Sequence, residues 1–122
     1  MHSKHILFIV LFLLSSSIFA QLKDNGPVYV KDQDDNLSKS GFGYSAEAKM
    51  VGGSYTGDFY LLITITRPAP KTIFYRVKFE FQNDDEMVQG KIDEGDRIST
   101  QPLSAPYKKA SNMEVVEIYY RE

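Results

Sequence analysis

The chain carries its clearest fold signal in the stretch TIFYRVKFEFQ, from Thr72 to Gln82. Apolar or aromatic side chains occupy every second position, namely Ile73, Tyr75, Val77, Phe79 and Phe81. The positions between them are mostly charged or polar. Because successive side chains of a β-strand point to opposite faces of the sheet, this stretch predicts a strand with one face in the core and the other in water.

A second strand is predicted just upstream, between Gly57 and Thr66. This segment is rich in β-branched and aromatic residues, which are enriched in strands. Its alternation predicts a core-facing row made of Phe59, Leu61, Ile63 and Ile65. The segment Arg67-Pro68-Ala69-Pro70-Lys71 separates the two strands. Because proline favours turns, we expect the two strands to form an antiparallel pair.

Shorter apolar segments between turn residues predict further strands. They cover residues 28–30, 86–92, 97–100 and 113–120, with turns at 83–85 and 94–96 and a loop at 102–112. Residues 42–50 fit two interpretations. Their alternation favours a strand, but the run from Ser45 to Met50 is also typical of a capped helical turn closed by Gly52 and Gly53. We favour the strand because the surrounding segments are β.

The predicted fold class is all-β. Six to seven short strands at this spacing indicate a single antiparallel β-sandwich with an immunoglobulin-like outline, and a small β-barrel is the alternative. The chain has no cysteine and no tryptophan, so the antibody-type pair of cysteines around a buried tryptophan is absent. A single domain is expected over residues 21–122, because about 100 residues can enclose one core.

The first 20 residues have the pattern of a secretory signal peptide. Lys4 precedes an unbroken apolar run from Ile6 to Leu14, and Ala20 provides a small residue for cleavage before Gln21. Retention as a membrane anchor is the alternative, although a spanning helix needs about 20 apolar residues. We therefore expect an exported protein, periplasmic or extracellular, with no transmembrane segment after cleavage.

Composition limits the partners and the chemistry. The formal net charge is −2, whereas nucleic-acid binding calls for a basic surplus, so no nucleic-acid partner is expected. Both histidines, His2 and His5, lie in the predicted signal peptide. The remaining domain would lack imidazole and thiol groups, which serve most catalytic triads and most zinc, copper and haem sites. We expect a protein that is not an enzyme.

One acidic segment has the spacing of a calcium loop. Asp32, Asp34 and Asn36 place oxygen ligands at alternate positions, as at the start of an EF-hand. Leu37 and Gly43 then occupy positions where an EF-hand requires glycine and glutamate. A calcium site of another type, with Asp84, Asp85 or Glu86 added, is one interpretation, and a solvated polar loop is the other.

Two tyrosines in predicted loops, Tyr55 and Tyr107, are candidates for contact with a ligand or a partner. The leading hypothesis is an exported, non-catalytic module that binds a protein or a cell-envelope component. If it binds by pairing an edge strand, the C-terminal strand at 113–120 is the candidate, unless that strand lies in the centre of the sheet. The alternative is a domain that binds carbohydrate or calcium.

Overall fold

The computed structural model describes residues 22–51 and 58–122, with side chains for 26–50 and 58–122. The elements are β1 (Leu22–Lys31), β2 (Leu37–Val51), β3 (Asp58–Ile65), β4 (Ile73–Glu80), β5 (Asp85–Ile92), β6 (Ile98–Leu103), a 3₁₀ helix (Ala105–Lys109) and β7 (Asn112–Arg121). The all-β prediction is confirmed. Within these ranges no helix is long and apolar enough to cross a membrane. The predicted signal peptide and its cleavage point lie outside the described residues.

The seven strands form one mixed sheet in the order β5-β4-β7-β1-β2-β3-β6. Five of the neighbouring pairs are antiparallel, and β1 runs parallel to β7. The sequence predicted a sandwich of antiparallel strands. The strands instead share one continuous hydrogen-bonded sheet that is nearly barrel-shaped. The parallel pair departs from the prediction because the alternation of side chains sets which face is buried but not which strands are neighbours.

The two edges of this sheet are brought together by a side chain. Tyr75 of β4 is buried, and its hydroxyl lies 2.9 Å from Ser99 Oγ and donates to Gln101 Oε1 at 3.3 Å, both on β6. The ring passes over Gly90 of β5, which is paired directly with Tyr75. A side chain at Gly90 would occupy the space of the tyrosine, so glycine lets β4 reach across β5 to β6.

The core lies inside the curved sheet. The alternations predicted for β3 and β4 are confirmed, since their buried residues recur at every second position. The described side chains that are buried are all hydrophobic, and the largest of those that are fully buried are Tyr75, Phe79, Leu61, Ile63, Ile65, Ile73, Ile92, Val28 and Val77. Burial of such side chains stabilises a fold by about 1.5–3 kcal/mol each relative to exposure. This core therefore accounts for a stable domain without disulfides.

The predicted pairing of β3 with β4 is wrong. β3 lies between β2 and β6, whereas β4 lies between β5 and β7. The connection between them does not form a hairpin turn. Its Ala69 is buried, donates its N–H to the Asp96 carbonyl and accepts from the Gly95 N–H. Because the flanking prolines favour extended backbone, the segment crosses to the other part of the sheet and packs against the β5–β6 turn.

Residues 42–50 belong to β2, so the strand interpretation is confirmed and the helical turn is wrong. The turn at 94–96 is also confirmed, and Gly95 adopts a φ of 89°, which glycine tolerates without strain. The loop predicted from Pro102 begins later, because Pro102 lies within β6. Proline is compatible with an edge strand, where one row of backbone groups has no neighbouring strand.

Candidate functional site

The segment proposed as a calcium loop is the turn between β1 and β2. Asp32 Oδ1 accepts hydrogen bonds from the backbone N–H groups of Asp34 at 2.8 Å and Asn36 at 2.9 Å. Asp32 Oδ2 accepts from Asn36 Nδ2 at 3.2 Å. The backbone N–H of Asn36, followed by the other donors, lowers the pKa of Asp32. The carboxylate thus caps the turn with both oxygens.

The remaining acidic residues of the calcium hypothesis lie elsewhere. Asp84, Asp85 and Glu86 are at the β4–β5 turn, which lies at the opposite end of the sheet from the β1–β2 turn according to the strand directions. They do not join Asp32, Asp34 and Asn36 in one site, so that part of the prediction is wrong. Among the described residues, no three acidic, histidine or cysteine side chains are grouped so that they could hold a metal ion.

Tyr107 lies in the 3₁₀ helix and packs on one end of the core. Its ring meets Phe79 edge-on with the centroids 5.0 Å apart, and Phe81 with the centroids 5.8 Å apart. Burial, together with the nearby Glu86 charge, raises the pKa of Tyr107. The half-buried ring also lines a shallow depression with Glu86, so one side is available to solvent. Tyr55, the other candidate, lies outside the described residues.

A surface that the sequence did not single out runs across the outside of β4, β7 and β1. It is formed by Phe74, Tyr119 and Tyr29, which we call the outer aromatic row. Phe74 is paired with Tyr119 across β4 and β7, and Tyr119 is paired with Tyr29 across β7 and β1. The Phe74 and Tyr119 ring centroids are 6.0 Å apart, and Phe74 is 42% exposed. Three strands therefore contribute one aromatic residue each to a solvent-facing row.

Cations lie on the central ring of this row. Lys31 Nζ is 4.5 Å from the centroid of the Tyr119 ring, and the Arg121 guanidinium is 5.9 Å from it. Such contacts are favourable because the face of an aromatic ring carries negative potential. Arg121 also forms an ion pair with Asp35 at 3.1 Å. Asp35 lies in the β1–β2 turn and has a left-handed backbone conformation, with a φ of 65°. The ion pair therefore connects the end of β7 to this turn.

A cleft of about 250 Å³ opens beside the row, between β1 and β7. It is lined by Tyr29, Lys31, Leu37, Val116, Glu117, Ile118 and Tyr119. Leu37 is 58% exposed and Val116 is 40% exposed, so the cleft presents two large aliphatic side chains to solvent. Val116 is exposed because the β4–β7 register shifts there, between the pairs Arg76–Glu117 and Val77–Val115. The bulge thus turns an apolar side chain toward the cleft.

Sequence reasoning missed this site for an identifiable reason. The alternation in residues 72–82 places Phe74 in the row that faces water, and Tyr119 lies in the predicted strand at 113–120, whose pattern does not specify a buried face. A large aromatic residue in an otherwise charged outward row was the available signal. The row itself needs β1, β7 and β4 to be neighbours, although Phe74 and Tyr119 are 45 positions apart in the sequence and Tyr29 and Tyr119 are 90 apart.

No protein-family model matches the chain, and no solved structure matches it significantly.

Proposed function

We propose that this chain is an exported, non-catalytic β-domain that binds a protein partner, in solution or in the cell envelope, through the outer aromatic row and the adjacent cleft. The observation that carries the proposal is the grouping of Phe74, Tyr119, Leu37 and Val116 on one outward region. Contiguous exposed apolar side chains flanked by charges are typical of protein interaction sites. Aromatic residues dominate the binding energy of such sites.

Export is supported by the N-terminal sequence, and its test is direct. The intact mass of the protein recovered from the periplasm or the medium is expected to lack residues 1–20. Recovery of the full mass with the membranes would favour the anchor.

The non-catalytic assignment is supported by the absence of histidine and cysteine after residue 20. For the architecture we favour a partly open small barrel, in which β5 and β6 meet through Tyr75.

Carbohydrate binding is the less favoured candidate. A sugar ring stacks on an exposed aromatic face, but the central ring of the row, Tyr119, has Lys31 on one face and Phe74 at its side. A protein partner does not need that face, because its side chains can pack on ring edges and on the aliphatic residues of the cleft. The arrangement therefore supports a protein contact more than a glycan contact.

The test is affinity capture with the purified wild-type protein, using crosslinking and mass spectrometry against the native cell envelope and medium. The double variant Phe74→Ser/Tyr119→Ser removes the outer aromatic row. Tyr60→Ser is the matched control, since Tyr60 also faces outward but lies on β3. We expect one partner that the wild type and Tyr60→Ser capture and the double variant loses. Equal capture by all three proteins, with unchanged melting temperatures, would place the interface elsewhere.

A further inference from the structure

We propose that the depression beside Tyr107 is a second binding site, and that it takes the guanidinium group of an arginine side chain or of a small guanidine. The depression lies between the β4–β5 turn and the start of the 3₁₀ helix, at the end of the sheet opposite the β1–β2 turn. It encloses about 390 Å³ and is lined by Phe81, Asp84, Glu86, Ser104, Pro106 and Tyr107. The site is separate from the outer aromatic row and does not depend on it.

Two aromatic rings form walls of this depression. Phe81 follows β4 and Tyr107 lies in the 3₁₀ helix, and their ring centroids are 5.8 Å apart with the planes inclined at 63°. Phe79 supports Tyr107 from the core through an edge-on contact at 5.0 Å. Both walls are half-buried, so each keeps part of its ring open to the depression. A guanidinium group packs well on such rings, because it is planar and weakly hydrated and the ring faces carry negative potential.

Two carboxylates, from Asp84 and Glu86, line the same depression. Burial, followed by the charge of the nearby Glu86, raises the pKa of Tyr107, so this carboxylate lies close to the ring. In the part of the chain that the structure describes, neither Asp84 nor Glu86 forms an ion pair. Their oxygens are therefore available to accept the paired N–H groups of a guanidinium.

The lysines around the site leave these carboxylates available. Lys78 Nζ lies 3.7 Å from Glu80 Oε2 and 3.5 Å from Glu114 Oε1. Lys108 and Lys109 belong to the 3₁₀ helix, but neither lines the depression. The site is thus defined by two rings and two carboxylates that share one depression, whatever the net charge of the surrounding surface.

This combination of groups suits a guanidinium better than other cations. Calcium takes about 6–8 oxygen ligands, and no three acidic side chains among the described residues are grouped so that they could hold a metal ion. An ammonium group is a compact, strongly hydrated charge, so it gains less from contact with a ring. A guanidinium can stack on a ring and donate to a carboxylate at the same time.

The experiment titrates the ¹⁵N-labelled protein, expressed from the full-length chain, with N-acetyl-arginine amide and with N-acetyl-citrulline amide. Citrulline has nearly the same shape as arginine but carries no charge. We expect the arginine amide to shift the amide signals of residues 81–86, 104, 105 and 107, and to bind about tenfold more tightly than the citrulline amide. That ratio corresponds to one cation–π contact together with one exposed ion pair.

Charge variants test the two carboxylates. Asp84→Asn/Glu86→Gln removes both charges with little change in size, and is expected to weaken binding of the arginine amide about fivefold. Glu94→Gln/Asp96→Asn is the matched control, because it makes the same change of charge in the β5–β6 turn, at the other end of β5. The control is expected to bind as the wild type does.

Aromatic variants test the rings. Tyr107→Leu is expected to weaken binding of the arginine amide about threefold. Phe74→Ser/Tyr119→Ser, which removes the outer aromatic row, is expected to leave it unchanged. Melting temperatures show that each variant is folded, and the charge variants decide the matter if Tyr107→Leu is not.

The source of the guanidinium is distinguished by comparing acetylated Gly-Arg-Gly amide with agmatine, a small guanidine. Tighter binding of the peptide would indicate an arginine of a protein or peptide, and tighter binding of agmatine a small ligand.

Three outcomes would overturn the inference. They are equal affinity for the arginine and citrulline amides, equal binding by the Asp84→Asn/Glu86→Gln protein and its control, and shifts confined to other parts of the sheet. Choline that shifts residues 81–86 when the arginine amide does not would assign the depression to a quaternary ammonium instead. Affinity capture through the outer aromatic row is a separate measurement, so either proposal can fail while the other stands.

Discussion

Gly90 lies opposite Tyr75 in the β4–β5 ladder, and the tyrosine occupies the space into which a side chain at Gly90 would point. A β-carbon at Gly90 would lie 2.5 Å from Tyr75 Cζ and 2.8 Å from Gln101 Oε1. Carbon atoms in contact normally lie about 3.5–4.0 Å apart. Because the tyrosine ring is rigid and buried, Gly90→Ala must displace the ring and with it the connection to β6.

Three contributions set the size of the effect. Overpacking a core typically costs about 1–3 kcal/mol, and weakening the Tyr75 hydrogen bonds costs about 0.5–1.5 kcal/mol. Replacing glycine in a strand contributes about 0.5–1 kcal/mol in the opposite direction. We expect Gly90→Ala to lower the free energy of unfolding by about 2 kcal/mol, which corresponds to a fall of roughly 10 °C in melting temperature.

Urea and thermal unfolding, followed by circular dichroism, measure this effect. Gly41→Ala is the matched control, because a β-carbon there meets only Arg67 Nη1 at 3.7 Å. The double variant Gly90→Ala/Tyr75→Leu is expected to show a favourable coupling, since the smaller residue removes the clash. If Gly90→Ala changes stability no more than Gly41→Ala does, Tyr75 does not hold the β5 and β6 edges together as we describe.

Three further substitutions test the hydroxyl of Tyr75 and the β1–β2 turn. Tyr75→Phe is expected to lower the free energy of unfolding by about 1 kcal/mol at neutral pH. Because burial raises the pKa of Tyr75 above the ordinary tyrosine value of 10.0, the wild type loses stability as the pH rises above 10.0. Urea titrations of the variant should show less of this loss. The hydrogen bond from the Asn36 backbone lowers the pKa of Asp32, so its contribution is complete above the ordinary value of 3.8 and is lost as the pH falls through the lowered pKa. Melting curves of Asp32→Asn at pH 2–5 should therefore depend less on pH than those of the wild type, and equal slopes would contradict the turn-capping role. Asp35→Gly removes strain at a φ of 65° but also an exposed ion pair, so thermal unfolding should show a change within about 1 kcal/mol of zero.

Parts of the fold were predictable because they depend on local pattern. The buried rows of β3 and β4 were assigned correctly, since alternation over eight residues specifies which side chains face the core. The turn at Gly95 was also predictable, because glycine is the residue that tolerates the positive φ found in tight turns, and Gly95 has a φ of 89°. The pairing of β3 with β4 was not, because Pro68 and Pro70 are compatible with both a hairpin and a crossover.

The same distinction applies to the candidate site. The acidic turn at 32–36 and the loop tyrosine Tyr107 were visible in the sequence, and the structure gives Asp32 a capping role and Tyr107 contacts with the core. The outer aromatic row was not visible. Tyr29 and Tyr119 become neighbours only through a parallel pairing between the first and last strands.

The sequence by itself determined the all-β class, the buried faces of β3 and β4 and the absence of cysteine chemistry. These properties follow from side-chain alternation and composition, which are local. Tertiary structure alone decided the order of the strands, the passage of Tyr75 over Gly90 to β6, and the meeting of Phe74, Tyr119 and Tyr29 on one surface. The physical reason is that alternation specifies which face of a strand is buried, whereas the choice of neighbouring strand depends on packing between residues that are far apart in the sequence.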